Sequence, residues 1–129
     1  MNIQSRPVPE FDIYLYQGQA WVLPDFTHQT LADTPVPMDF TGYELRMHVQ
    51  TPANGVLQFG TLLGSMVFIS RVDGHYRMNV SQEVVDALTV ADSPEYWPYY
   101  VDCFVPASSP EVTYILHRGS IVAMTEFPT

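Results

Sequence analysis

The stretch Asp39-Phe40-Thr41-Gly42-Tyr43-Glu44-Leu45-Arg46-Met47-His48-Val49-Gln50 decides how the rest of this chain is read. Asp39 and Gly42 frame a turn: an aspartate side chain accepts hydrogen bonds from the N–H groups that follow it, and glycine takes conformations closed to other residues. Beyond the turn the sequence alternates without a fault. Tyr43, Leu45, Met47 and Val49 fall on one side and Glu44, Arg46, His48 and Gln50 on the other, because successive side chains leave a strand on opposite faces. One dry face and one wet face belong to an antiparallel sheet in a sandwich or barrel.

Working outward, residues 1–10 are polar and proline-bearing and read as an N-terminal arm, with residues 11–129 as a single β domain. Phe11, Ile13 and Leu15 alternate with Asp12, Tyr14 and Tyr16, and Gly18 closes that strand. Residues 21–23 begin a second extended piece, which Pro24 assigns to an edge or a bulge; residues 27–38 read as a loop held extended by Pro35 and Pro37. On the other side, Asn54-Gly55 is the signature of a two-residue hairpin turn. Asp73-Gly74 reads the same way, and a two-residue loop there would pair Val72 with His75, Ile69 with Met78 and Val67 with Val80.

Ser81 stands where a helix N-cap belongs, with Glu83 in the first turn and Val84, Val85 and Leu88 as a short apolar stripe. Pro94 and Pro98 bracket a loop, residues 99–105 and 112–116 form a further antiparallel pair across residues 106–110, and Gly119 breaks the last extended segment as a bend or bulge. Seven to nine short strands and one short helix result, for which an antiparallel β-sandwich is the expected fold.

A chain of 129 residues makes one domain, and one of this length buries enough surface to fold without a disulfide or metal. The lone Cys103 lies between Val101 and Val105 at strand spacing and reads as a buried structural thiol. No apolar run approaches the ~20 residues that span a bilayer, and the first residues lack the apolar core of a secretory signal, so a soluble chain made in the cytoplasm is expected. Fourteen acidic residues oppose five basic ones, all arginine, for a net charge of −9. Such a field repels phosphates, so neither nucleic acid nor membrane is an expected partner. The acidity serves either solubility or a partner with a basic surface.

No constellation for catalysis stands out, and no enzyme activity or cofactor is expected. Asp39 and Glu44 would need to share a cleft to act as acid and base, and nothing in the sequence places them so. His28, His48, His75 and His117 are widely spaced and match no ligand pattern, so no metal is expected. His48 on a wet face and His75 after a turn suit ordinary solvated side chains. The glycines stand singly and make no phosphate loop.

The aromatic residues are more telling, at 13% of the chain. With Ile13 and Leu15 inward, Tyr14 and Tyr16 point outward; with Ile69 inward, Phe68 does too. The run Tyr96-Trp97-Pro98-Tyr99-Tyr100 has more rings than one small core takes. Tyr14, Tyr16, Phe68, Tyr96, Trp97, Tyr99 and Tyr100 are therefore the candidate interface, since outward aromatics offer large contact area at little entropic cost. The other reading is a core on both sheet faces, or loops folded over them. The turn residues Asp39, Gly42, Asn54, Gly55, Asp73 and Gly74 have structural roles.

Taken in order, these landmarks resemble a family of small β-sandwich domains of bacteriophage virions, the type found at the N-terminus of baseplate upper proteins and in long-tail-fibre and tail-attachment proteins. The resemblance rests on Gly18 to Trp21, on Pro37, Asp39, Phe40, Thr41 and Gly42, and on Arg46 in the next strand. It continues through the hairpin and Ser-started helix from Gly74 to Leu88, the late tyrosine strand, Arg118 to Val122, and a closing Thr129. It implies a non-enzymatic virion component at a tail, baseplate, collar or fibre joint, touching other virion proteins and repeated copies of itself. A carbohydrate-binding module is the competing expectation, with Trp97, Tyr99, Tyr100 and Trp21 as a platform for sugar rings.

Overall fold

A computed structural model describes residues 9–22, 25–29, 36–106 and 112–125. The expectations for Pro24, Pro35, most of the N-terminal arm, most of the 106–110 connection and Thr129 lie outside those residues. Eight strands and one short helix follow in order: β1 (Ile13–Tyr16), β2 (Asp25–Thr27), β3 (Glu44–Thr51), β4 (Gly55–Gly60), β5 (Met66–Ser70), β6 (His75–Met78), α1 (Gln82–Asp86), β7 (Glu95–Val105) and β8 (Val112–Met124). They form a five-stranded sheet, β1-β8-β7-β3-β4, and a three-stranded sheet, β2-β6-β5. The all-β, sandwich-like fold is as the alternation requires. Leu45, Met47 and Val49 on β3 are fully buried, and they share one core with Trp97, Val101, Cys103, Leu116 and Ile121 of the large sheet and Phe26, Met66, Tyr76 and Met78 of the small one.

One pairing departs from the antiparallel expectation: β1 runs parallel to β8, with Ile13 opposite Ile121 and Tyr16 opposite Met124. Hairpins force neighbours in sequence to be antiparallel. β1 and β8 share no hairpin, so their direction is set by which apolar face they bury. Gly119 makes the approach possible. It is no break, since β8 runs through it and pairs it with Tyr99. A Cβ at this position would stand 1.9 Å from the carbonyl oxygen of Phe11, so the segment leading into β1 can lie against β8 only over a glycine. Phe11 N–H donates to Arg118 O at 2.9 Å and Arg118 N–H to Pro9 O at 3.1 Å across that contact.

Both hairpin turns are longer than their sequences suggest. Thr51 pairs with Gly55, leaving residues 52–54 as a three-residue loop with Gly55 at φ 69°. Asn54 acts instead as a clamp, its amide exchanging 2.8 Å hydrogen bonds with the backbone of Thr89 beyond α1. At the β5–β6 hairpin, Ser70 pairs with His75 around the four residues 71–74, and Ile69 is bulged out. Met66 then faces Met78 and Phe68 faces Tyr76. A one-residue change of register exchanges the two faces of a strand. Ile69 is therefore exposed, and Phe68, expected outside, is packed on the core: its ring lies 6.0 Å from Phe40 and beneath the Arg71 guanidinium at 4.0 Å. Arg71 also donates to Tyr43 O and meets Glu44 at 3.3 Å, tying the small sheet to the start of β3.

The remaining turn assignments hold. Asp39 accepts from Thr41 N–H at 2.9 Å and Thr41 Oγ1 at 2.5 Å, bonds that lower its pKa, and Gly42 takes φ 85°. Ser81 caps α1 by accepting from Val84 N–H. Only Val85 of the helix is fully buried; Val84 is exposed and Leu88 half-buried. Pro98 is in no loop but inside β7, opposite Ser120. Its side toward β3 lies just past the last pair, Val49 with Tyr99, so the missing N–H falls where that ladder ends.

Gly74 is buried at φ 65°, and a Cβ there would meet Met38 O at 2.7 Å and His28 O at 2.9 Å. Replacing it with valine adds a strained backbone conformation to an overlap with two carbonyls. Gly74→Val is expected to cost about 3 kcal/mol or more, against roughly 1 kcal/mol or less for His75→Ala in its partly exposed contact with Asp25. Chemical denaturation of the two variants compares them directly; equal midpoints contradict the placement of this turn.

Candidate binding surface and the polar line beneath it

The run 95–105 forms one long strand, and its alternation sorts the aromatics expected at an interface. Trp97, Tyr99, Val101 and Cys103 point into the core; Tyr96, Pro98, Tyr100 and Asp102 point outward. Trp97 is 1% exposed and Tyr99 4%, so neither belongs to a surface. Reading residues 94–98 as a loop concealed that alternation. Trp21 is also buried, edge-on to Phe59 at 5.3 Å.

Tyr14, Tyr96 and Tyr100 are brought together on the outer face of the five-stranded sheet. The register sets Tyr14 beside Val122 and Val122 beside Tyr96, and the two tyrosines are 50% and 68% exposed. Tyr16, partly buried, stacks on Tyr14 with centroids 6.3 Å apart. Further across the face, Tyr100 stacks on His48 at 4.6 Å and Ile115 is exposed. Tyr100, His48, Gln50, Val56 and Pro98 line a shallow cleft of about 300 Å³.

A charged group anchors this face. Arg46 reaches Asp102 through Nε at 3.1 Å and lies over the Phe104 ring at 3.9 Å, while His48 Nε2 stands 3.6 Å from the other carboxylate oxygen. Asp102 is only 6% exposed, so a carboxylate is held beneath the surface by Arg46 of β3, with His48 beside it. Removing one partner of such a pair leaves the other charge poorly solvated. The Arg46–Asp102 pair therefore fixes β3 against β7 beside the His48 ring on which Tyr100 stacks.

Beneath the outer face is a feature that sequence spacing does not reveal. β8 carries one extra residue: Val101 pairs with His117 but Asp102 pairs with Ile115, so Leu116 is bulged. Leu116 and His117, adjacent in sequence, are both fully buried. His117 thereby meets residues of both sheets. His28 Nε2 lies 2.8 Å from the Tyr76 hydroxyl, which lies 2.7 Å from His117 Nε2. His117 Nδ1 is 3.1 Å from the Tyr99 hydroxyl, which donates to Phe11 O at 2.9 Å. With both imidazoles neutral the direction is single: His28 N–H donates to Tyr76, Tyr76 to His117, His117 to Tyr99, and Tyr99 to Phe11. Phe26 stacks on His117 at 4.7 Å, completing an aromatic packet around the line.

Two of the histidines, far apart in the sequence, are thus joined through one tyrosine hydroxyl. Every ring of the line is nearly or fully enclosed, which suits joining two sheets and leaves no room for a substrate at these atoms. Asp39 and Glu44 share no hydrogen bond; Glu44 faces Thr61 and Arg71. Among the described residues, no group of three His, Cys, Asp or Glu side chains is placed to hold a metal ion. Cys103 is buried and unbridged. No protein-family model matches the chain, and no curated protein matches it.

Tyr76→Phe removes the hydroxyl shared by two buried imidazoles. It is expected to destabilise the fold by about 2–4 kcal/mol, read as a lowered denaturation midpoint, whereas Tyr96→Phe leaves the midpoint unchanged. Burial, and the nearby Asp12 carboxylate, raise the Tyr99 hydroxyl pKa well above its ordinary 10.0. A raised folded-state pKa means that its contribution is intact below pH about 10 and is lost as pH rises further, since only the unfolded chain then releases the proton. Phenolate absorbance followed through alkaline titration should show Tyr99 ionising only as the fold melts, together with the enclosed Tyr76. The amplitude of that late step falls in Tyr99→Phe.

Proposed function

We propose that this chain is a non-enzymatic structural protein of a bacteriophage virion, made in the host cytoplasm and incorporated as a small adaptor at a tail, baseplate, collar or fibre-attachment joint. It works through protein–protein contacts with other virion components and with repeated copies of itself. The observation that carries the reading is the outer face of the five-stranded sheet. Tyr14, Tyr96 and Tyr100 lie exposed there on rigid strands, a flat aromatic surface of the kind that protein contacts use. The residues that carry the virion resemblance have structural places in this fold. Gly42 takes the positive φ of its turn, Asp39 closes that turn, and Arg46 holds the buried Asp102. Among the described residues no helix is long and apolar enough to cross a membrane.

The carbohydrate reading loses its platform. Trp97, Tyr99 and Trp21 are buried in the core, so no indole is free to stack on a sugar ring, and of the four rings only Tyr100 remains exposed.

Imaging and mass spectrometry of purified particles should find the chain at a defined, symmetric position. The double variant Tyr96→Ala/Tyr100→Ala should fold normally and bind its neighbours at least tenfold more weakly, as loss of aromatic anchors costs about 1–2 kcal/mol each. A chain missing from particles, or a double variant that assembles with unchanged affinity, rules the reading out.

A further inference from the structure

β4 (Gly55–Gly60) is an outer strand of the five-stranded sheet, with β3 on one flank and, among the described residues, no strand on the other. Its register shows which backbone groups are left over. Gly60 turns away from β3: its N–H donates to Ser65 Oγ at 2.9 Å and its carbonyl accepts from Ser65 N–H at 3.1 Å. Alternation along an antiparallel ladder then aims the backbone groups of Phe59 and Leu57 at β3 and those of Gln58 and Val56 outward. The groups of Gly60 are satisfied within the following turn. The N–H and C=O groups of Val56 and Gln58 have no partner among the described residues.

This edge also lacks the usual protection against strand addition. β4 contains no proline and no charge, and its pairing with β3 has no bulge. Val56 is 69% exposed, and Leu62 and Leu63 in the next turn are each 65% exposed. From Thr51 to Ser70 the sequence holds no Asp, Glu, Lys or Arg, although the chain's net charge is −9. Two copies of so acidic a protein repel wherever their carboxylates face one another. Here they can approach without that opposition.

We propose that β4 pairs antiparallel with β4 of a second copy about a two-fold axis at Leu57, fusing two five-stranded sheets into one continuous sheet. Val56 N–H donates to the carbonyl of the partner's Gln58, and Gln58 N–H to the carbonyl of the partner's Val56; the two-fold repeats both bonds. The pattern is self-complementary, as a closed dimer requires, and backbone pairing gives it direction. Positions equally far from Leu57 face each other, so the Leu62-Leu63 turn of each copy comes alongside the Pro52-Ala53 loop of the other. This seam lies at the edge of the tyrosine face and does not depend on the virion reading.

Sedimentation equilibrium of the full chain should show a monomer–dimer equilibrium. Gln58→Pro removes an outward N–H without touching the β3 ladder, and Val56→Lys sets like charges close to the seam; each should leave only monomer. Hydrogen exchange should find the Val56 and Gln58 amides protected in the wild-type dimer and the Gln58 amide exchanging freely in Val56→Lys. A thermal melt identical to that of dilute wild type certifies that Val56→Lys is folded, so the test stands even if the proline variant unfolds. A wild-type chain that stays monomeric, a dimer that survives Val56→Lys, or a dimer with both amides unprotected overturns the proposal.

Discussion

The extra residue at Leu116 is the constraint on which the two layers depend. Strict alternation would bury either Leu116 or His117; the bulge buries both. Leu116 fills apolar core, and His117 supplies two ring nitrogens in the middle of it. Each nitrogen faces a tyrosine hydroxyl, one from β6 and one from β7, so the sheets are joined by directional bonds as well as by apolar burial. Apolar contact alone tolerates sliding, whereas a line of hydrogen bonds with every group satisfied has one register. The Phe11 carbonyl at the end of the line fixes the path into β1, and Gly119 gives that path its room.

Much of this architecture was legible because a single rule, one dry and one wet face, governs β3, β1 and most of β7. The alternation around Leu45, Met47 and Val49 placed the core side of β3 correctly, and Ser81 marked the helix start. What failed was every inference that depended on counting residues through a turn. Asn54-Gly55 and Asp73-Gly74 permit two-residue loops, but Asn54 is engaged by Thr89 and the β5–β6 turn takes four residues, with Ile69 bulged beside it. Those local insertions exchange inside and outside for whole strands, which is why Phe68 and Ile69 traded places. Proline misled in a similar way: Pro98 ends one ladder of β7 without ending the strand, and Trp97 and Tyr99 are core residues as a result.

The polar line was beyond reach of the sequence for the same reason. His28, Tyr76, Tyr99 and His117 lie on four strands or their flanks, and no spacing relates them. Only a bulge invisible to alternation turns His117 inward. The tyrosine face was better signposted: Tyr14 and Tyr16 follow directly from the inward Ile13 and Leu15. Tyr96 and Tyr100 required knowing that β7 starts at Glu95. The two faces of the large sheet thus divide their work, with sulfur, aliphatic and indole groups and the Tyr99 phenol inside, and the exposed phenols and the Arg46–Asp102 pair outside.

Both tryptophans of the chain are enclosed, and neither indole N–H finds a hydrogen-bond partner among the described residues. An indole in a dry, unbonded setting emits at the blue end of its range and is sheltered from collisional quenchers in water. The molecule's intrinsic fluorescence therefore reports on the integrity of its interior while remaining blind to most events on the tyrosine face. Surface encounters must be followed through phenol signals or through mass, and a red shift in emission signals opening of the layers themselves.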